Sequence, residues 1–531
     1  MRKREILKRQ RRAVRQLPDT QQGSLFSRAT TEPVPGPMAA AEFQCPDAER
    51  TFVGDTPLRR YLEENGLGWV IRLREELAAS DLSALLAAYA PTGRRAIHPL
   101  ILLGLIVYGM LERKWSLREL EQLARRDVGA WWMCGGLQPD HSTIGDFLTR
   151  HAAVLSEEYF VTLTRQLLRM LRLAPGTVAG DGTVIEAAAS HYRLLKADAA
   201  REAAARAPED APAQAAAATA TAREAERRAR GDKGSSTLVS PTEPEAVSQP
   251  LKNGTQRPSY KPSVWATTER LVVGQHVQPS NEATALGPLL AQHQQLWQTR
   301  PTRLLLDANY HQNAVFVWAG AWDLDLLCPS GAAERGRWER KRGAFGKAAF
   351  GYDEERNVYV CSAGQELRPL NHGTRHDGVP YCRYGGAPCR ACAQRALCTS
   401  ARQGRTVKRF AGDEWKEAMA QVMRQPAARR AYGQRKAMVE PVFATLRERQ
   451  GLTRFHRRGL TGVRLEFALH CLAYNLRRAL RLSQHSGATG TRVFRLWRCP
   501  NCVAILIFVL GPSRPHSRLT IGVLFLLLRG L

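Results

Sequence analysis

The spacing of apolar residues divides the chain into a helical first part and a mixed second part. From Pro57 to His151 the spacing is helical: Leu58, Tyr61 and Leu62 open it, and Leu67 to Leu77 continue it. Pro99–Leu111 is almost wholly apolar. At about 13 residues it is too short to cross a bilayer, which predicts a buried core helix. Ser116-Leu-Arg-Glu119 has the reciprocal capping pattern that starts a helix, and that helix carries Arg118, Arg125 and Arg126. Gly135-Gly136 breaks the chain, and Pro139-Asp-His-Ser-Thr-Ile144 begins another helix running to Arg150. Leu163 to Leu173 is amphipathic and ends at Pro175-Gly176.

The period then changes. Thr177-Val-Ala-Gly-Asp181-Gly reads as a short strand running into an acid, or as an Asp-Gly turn between hairpin strands. Ser263 to Thr267 and Arg270 to Gln278 predict a hairpin, with a helix near Ala285 to Gln295. Arg303-Leu-Leu-Leu-Asp307 is apolar without alternation, which suits a strand buried on both faces and closing on an acid. Functional groups gather at such strand ends in open α/β sheets. In Tyr432–Arg447, Val439, Phe443 and Leu446 share a helical face around Glu440, which reads as a buried carboxylate. Arg447, seven residues on, shares the face of Glu440. Pro441 predicts that a helix starts or kinks there. Val463 to Leu482 is a long helix with Leu465, Leu469, Leu472 and Leu476 apolar.

These patterns divide the chain into a basic disordered arm (1–50), a helical domain (51–172), an α/β domain (173–482) and an atypical tail (483–531) that reads as a read-through or frame-altered end. The α/β domain holds two insertions. Residues 187–255 are Ala-rich and predict a partly helical, mobile segment without its own core. Residues 328–405 are rich in cysteine, loops and strands.

Charge sharpens this picture. A formal net charge of +28 says nothing about fold but points to a polyanionic partner, nucleic acid first and a membrane surface second. The basic outer faces of the short helices then suggest a helix-turn-helix-like DNA-binding domain, with Arg118, Arg125 and Arg126 toward DNA. The basic first residues lack an apolar core and do not read as a secretory signal. The eleven cysteines are therefore expected as thiols or metal ligands in a reducing compartment. Cys382, Cys389, Cys392 and Cys398 have a CxxC core that would suit a structural zinc, with Cys361 as a fifth candidate and free thiols as the alternative.

Three acids stand out by setting: Asp181 and Asp307 after strands, Glu440 on a helix. In so basic a chain they suggest two divalent ions acting on a phosphodiester, and Mg²⁺ suits carboxylates combined with phosphate oxygens.

Asp181-Gly-Thr, Leu-Leu-Leu-Asp307-Ala-Asn-Tyr and Val-Glu440-Pro-Val-Phe together resemble the DDE transposases of bacterial insertion sequences, in the group allied to the IS-four and IS-five families. Ile97-His-Pro-Leu through Ile144 is similar to the N-terminal domain of that group, and Arg458-Gly-Leu-Thr-Gly to Asn475-Leu-Arg-Arg to its closing segment. The resemblance spans roughly residues 50 to 482. It implies an α/β, ribonuclease-H-like catalytic domain with insertions, preceded by an all-α helix-turn-helix-like domain. It also implies Mg²⁺- or Mn²⁺-dependent cleavage and strand transfer of double-stranded DNA at terminal inverted repeats and target sites, by a homo-oligomer in the bacterial cytoplasm at the nucleoid, with no membrane partner. By motif match Asp181, Asp307 and Glu440 are the metal-binding triad, and Tyr432, Arg435, Lys436 and Arg447 face DNA. The Tyr-Arg-Glu-Lys signature is imperfect: Tyr432 stands one residue further from Glu440, Lys436 holds the usual Arg position, and Arg447 replaces Lys. A non-catalytic domesticated derivative and a nuclease without strand transfer are the rival readings.

Overall fold

The computed structural model describes residues 42–90, 95–229, 237–251, 253–331, 345–375 and 378–485. Residues 1–41 of the arm and 486–531 of the tail lie outside the described residues; residues 42–50, expected in a disordered arm, are ordered, with a short turn Ala48–Arg50 that buries Ala48, and residues 483–485 end the helix Gly459–His485. The chain forms two compact units. One holds the described residues 42–43, 89–90 and 95–96, where the Phe43 and Tyr89 rings meet edge-on at 5.2 Å. The other, Gln44–Ala88 with Ile97 onward, contains everything below.

The apolar run folds as the helix Pro99–Leu111, with proline in its first turn and the His98 ring accepting the Leu100 N–H at 3.1 Å. Residues Pro99 to Met110 are all buried, which explains why this helix has no polar face. Gly109 is needed for packing: a Cβ there would stand 2.3 Å from the Leu120 side chain and 2.4 Å from the Lys114 carbonyl. That close approach seats the next helix, Leu117–Arg126, which carries the full Ser116–Glu119 capping box. His141–Arg150 follows, capped by Asp140.

The central sheet has the order β3-β2-β1-β4-β5, with β1 Thr177–Gly182, β2 Gln256–Thr267, β3 Val272–Gln278, β4 Arg303–Leu305 and β5 Leu326–Leu327. β2 is antiparallel to both β1 and β3, as the hairpin pattern predicts, while β4 runs parallel to β1 and β5. Asp181 therefore lies in a strand that pairs through Val264, and is not the corner of a hairpin. Helices Leu286–Trp297 and Gly459–His485 pack on β3, and helix Arg435–Ala444 packs on β1 and β2.

The Gly459–His485 helix closes the core. Phe467, Leu472 and Leu476 are fully buried, and so is Asn475. Asn475 holds an edge of β3: its Oδ1 accepts the Val272 N–H at 2.8 Å and its Nδ2 donates to the Val272 carbonyl at 2.8 Å. Nδ2 also reaches Thr164 Oγ1, at 3.3 Å, on the helix Glu158–Met170.

Glu466 of the same helix is 2% exposed and accepts backbone N–H groups of His456 and Arg457 and the Trp115 indole N–H. Burial pushes its carboxyl up to about 7, with those donors opposing. The folded group is thus harder to ionise than in the unfolded chain. Its contribution to stability is present below about pH 4.5 and is lost as pH rises through about 7, amounting to about 3 kcal/mol. Glu466→Gln removes this titration. Denaturant melts from pH 5 to 8 are expected to show a shallower fall in stability for the variant, and parallel slopes would refute the assignment.

The insertions differ from expectation in one respect. The Ala-rich stretch forms helices Ala197–Arg206 and Ala211–Ala229, and it does have a small core: Ala197, Ala200, Ala216 and Ala220 pack with Val239. Alanine lets two helices approach closely, so a composition that reads as poor in core can still bury one face. The Cys-rich stretch contains a five-stranded antiparallel sheet running in chain order from Gly351–Asp353 to Val407–Phe410, packed around Tyr359, Leu367 and Tyr384. Among the described residues no helix is long and apolar enough to cross a membrane.

Candidate active site

Two strands fix the first two acids. Leu305 of β4 lies opposite Ala179 of β1, so Asp307 and Asp181, each two residues further on, reach the same level on neighbouring parallel strands. They also share a face. A Cβ on Gly180 would meet the Leu306 side chain at 2.6 Å, so Gly180 and Leu306 look to one side of the sheet while their neighbours Asp181 and Asp307 look to the other. Glu282 stands beside Gly182, 2.7 Å from where a Cβ would be, and so belongs to the side away from Asp181. There it pairs with Lys261 at 2.8 Å.

Asp307 closes its strand as the cap of a short turn, accepting the Asn309 N–H at 2.9 Å. Cys328, just past β5, donates its thiol to the Asp307 carbonyl at 3.1 Å. Burial pushes that thiol up to about 12, and the Asp307 charge adds to the effect. It is therefore a neutral prop for Asp307, and its place at the end of the adjacent strand was not read from the sequence.

Helix Arg435–Ala444 lies over this face. Arg435 is buried, its Nη2 is 2.8 Å from Asp181 Oδ1, and its Nε donates to the Gly180 carbonyl at 3.2 Å. Burial pushes the Asp181 carboxyl up to about 6; Arg435 opposes the rise and Asp307 adds to it. Further along, Arg447 donates to Thr183 Oγ1 and, at 3.0 Å, to the Val184 carbonyl. The two arginines fasten the two ends of this segment to the chain around Asp181, Arg435 as a buried ion pair and Arg447 half-buried. Tyr432 is half-buried; burial raises its hydroxyl pKa, with Arg435 opposing and Cys328, Asp307 and Asp181 adding to the rise.

Glu440 lies between these anchors and is exposed, as is Lys436. The apolar face expected around Glu440 is present, since Val439, Val442, Phe443 and Leu446 are buried, but the carboxylate itself is on the open side. Pro441 neither starts nor ends the helix. It sits inside Arg435–Ala444, and a π-helical turn, Thr445–Arg449, follows. Proline has no N–H to give the carbonyl four residues back, that of Ala437. Arg270 supplies the missing donor, with Nε 2.9 Å from that oxygen.

Arg118, Arg125 and Arg126 are exposed on Leu117–Arg126, and Arg125 pairs with Glu121 at 2.5 Å. Of the cysteines, Cys361, Cys389, Cys392 and Cys398 line one cavity of about 20 Å³. Backbone N–H groups point at two of these sulfurs, Gln365 to Cys361 and Arg405 to Cys389. Cys382, in the strand Pro380–Gly385 opposite Arg409, is not among the residues that line that cavity. The fifth candidate thus takes the place that spacing assigned to Cys382. Among the described residues, no group of three or more His, Cys, Asp or Glu side chains is arranged to hold a metal ion as it stands.

The family described as transposase DDE domain matches residues 360–480, which include Glu440, Arg447 and most of the closing helix. A second, described as a transposase domain of the DUF772 type, matches residues 70–150. These two matches support an insertion-sequence DDE transposase. No curated protein matches it. Asp181 and Asp307 lie between the two matched segments, so their place in this transposase rests on the sheet geometry above. The protein is thus a DNA-transposition protein of a transposable element, and it is mixed α/β as the resemblance implies.

Proposed function

We propose that this transposase cuts and rejoins the DNA of its own insertion sequence, using Asp181, Asp307 and Glu440 to bind Mg²⁺ or Mn²⁺. The observation that carries the reading is the common level and common face of Asp181 and Asp307 beneath the helix that bears Glu440. The donor set fits a hard divalent cation: all three are carboxylates, and a buried guanidinium already balances Asp181. The ions would polarise the scissile phosphate and lower the pKa of the attacking water or 3′-hydroxyl. The protein's own work is positioning. Arg435 keeps Asp181 ionised against burial, Asn309 and Cys328 hold Asp307 in place, and Arg447 sets the end of the Glu440 segment. Lys436, exposed one turn before Glu440, is left free to meet a phosphate, as is Tyr432 at the rim.

The mixed sheet with acids at adjacent strand ends supports a ribonuclease-H-like catalytic domain. We take the protein to act as a homo-oligomer on terminal inverted repeats and target DNA in the bacterial cytoplasm, with Arg118, Arg125 and Arg126 on a DNA-facing helix. For a structural zinc the candidates are Cys361, Cys389, Cys392 and Cys398, which line one cavity but would have to close in to ligate the ion.

The test is Mg²⁺-dependent cleavage and joining of DNA carrying the element's own ends. Glu440→Gln, an exposed and conservative change, is expected to lower cleavage by about a hundredfold or more while the fold and DNA affinity persist. Full activity in that variant would remove Glu440 from the site. Cleavage without joining by the wild type would reduce the reading to a nuclease, and binding alone would reduce it to a DNA-binding derivative.

A further inference from the structure

Beside the Glu440 helix the surface opens into a cleft of about 500 Å³ that continues, past shared walls at Trp69, Arg477 and Arg481, into a second of about 400 Å³. Together they are lined by seven arginines and two glutamates. The arginines come from distant parts of the chain: Arg72 and Arg113 from the helical domain, Arg270 from the turn between β2 and β3, Arg449 from the π-helical turn, and Arg477, Arg478 and Arg481 from the closing helix. Folding therefore brings like charges together at a cost, which a bound polyanion would offset.

The arrangement is held, not loose. The Arg477 guanidinium lies over the Trp69 ring at 3.7 Å. Burial pulls its pKa down to about 10, and Arg481, Arg72 and Arg449 push the same way against Glu112. Arg478 Nε donates to the Glu269 carbonyl at 2.8 Å, and Arg270 Nε donates to Ala437. Each of these two spends one N–H on backbone and keeps its terminal amino groups for the cleft. Pro441 and Thr445 form part of the same wall, so the cleft runs up to the residue next to Glu440.

We infer that this cleft is the track on which the phosphodiester backbone of duplex DNA lies as it enters the Glu440 side of the site. The inference rests on the transposase reading and assigns its DNA path. Phosphate oxygens would meet the fixed guanidinium planes, which take them in pairs. Backbone contact of this kind positions the duplex without reading its sequence. Arg270 gives the path a second consequence: the residue that meets the backbone also holds the carbonyl that Pro441 leaves open, so DNA in the cleft steadies the helix that carries Glu440.

The experiment measures binding of the full chain to a duplex of arbitrary sequence over a range of salt. Arg449→Gln with Arg481→Gln, both exposed, is compared with Arg118→Gln with Arg126→Gln on the helix Leu117–Arg126. The cleft pair is expected to weaken binding roughly tenfold and to reduce the slope of log affinity against log salt by about 1.8, two phosphates' worth. An unchanged slope in the cleft pair, or a loss confined to the helix pair, overturns the track. A wild-type chain that binds no duplex overturns the transposase reading as well, whereas a wild type that binds with an unaltered cleft variant overturns the track alone.

Discussion

Asp181→Asn should lower metal-dependent DNA cleavage roughly a thousandfold, the equivalent of several kcal/mol of lost charge stabilisation at the reacting phosphate. Asparagine keeps the shape of the side chain and removes only the charge. The change has a second, separable effect. Arg435 is buried and loses the carboxylate 2.8 Å away, so it becomes an uncompensated buried cation. Breaking one side of such a pair costs about 3–5 kcal/mol, reduced here because Asp181 is one-fifth exposed. Both effects are read on one sample: thermal melting reports the lost pair, and cleavage at a temperature where the variant is still folded reports the lost ligand. Arg435→Met in the Asp181→Asn background should recover part of the melting temperature and none of the cleavage. Recovery of cleavage would mean that Asp181 serves only as the partner of Arg435.

The largest loss of stability is expected from Asn475→Leu, which keeps the branching and the number of side-chain heavy atoms but removes the polar groups. Asn475 answers both the N–H and the carbonyl of Val272 and touches Thr164, all in a fully buried setting. Leucine leaves two backbone groups of β3 without partners, at about 1–3 kcal/mol each. Urea denaturation should show a loss of about 2–5 kcal/mol with an unchanged slope. A loss under about 1 kcal/mol would mean that β3 finds other partners and that Asn475 is not its clamp.

Local patterns made much of this molecule legible in the sequence. The apolar stretch Pro99–Leu111, the capping box at Ser116 and the hairpin before Gln278 all depend on neighbours in the chain, and each is where its pattern puts it. Asp181 and Asp307 could be read as strand-end acids for the same reason. What escaped depends on contacts made across the fold. Arg435 reads as one more basic residue for DNA, and only packing shows that it turns inward to Asp181. Pro441 reads as the start of a helix or a kink, because the rescue of the carbonyl it leaves open comes from Arg270 on a distant turn. Cys361 and Cys382 cannot be told apart by spacing, since the sheet decides which of them faces the other thiols. Glu440 was expected to be buried because its neighbours are, although a helix can bury one side and leave the next residue open.

The closing helix Gly459–His485 is the last described element, yet it packs against helices formed near the start, among them Pro99–Leu111 and Glu158–Met170, as well as β3. A chain emerging from the ribosome N-terminus first cannot complete this core until almost all of it has been made. A truncated or stalled product lacks the helix that packs on β3, a strand of the sheet that carries Asp181.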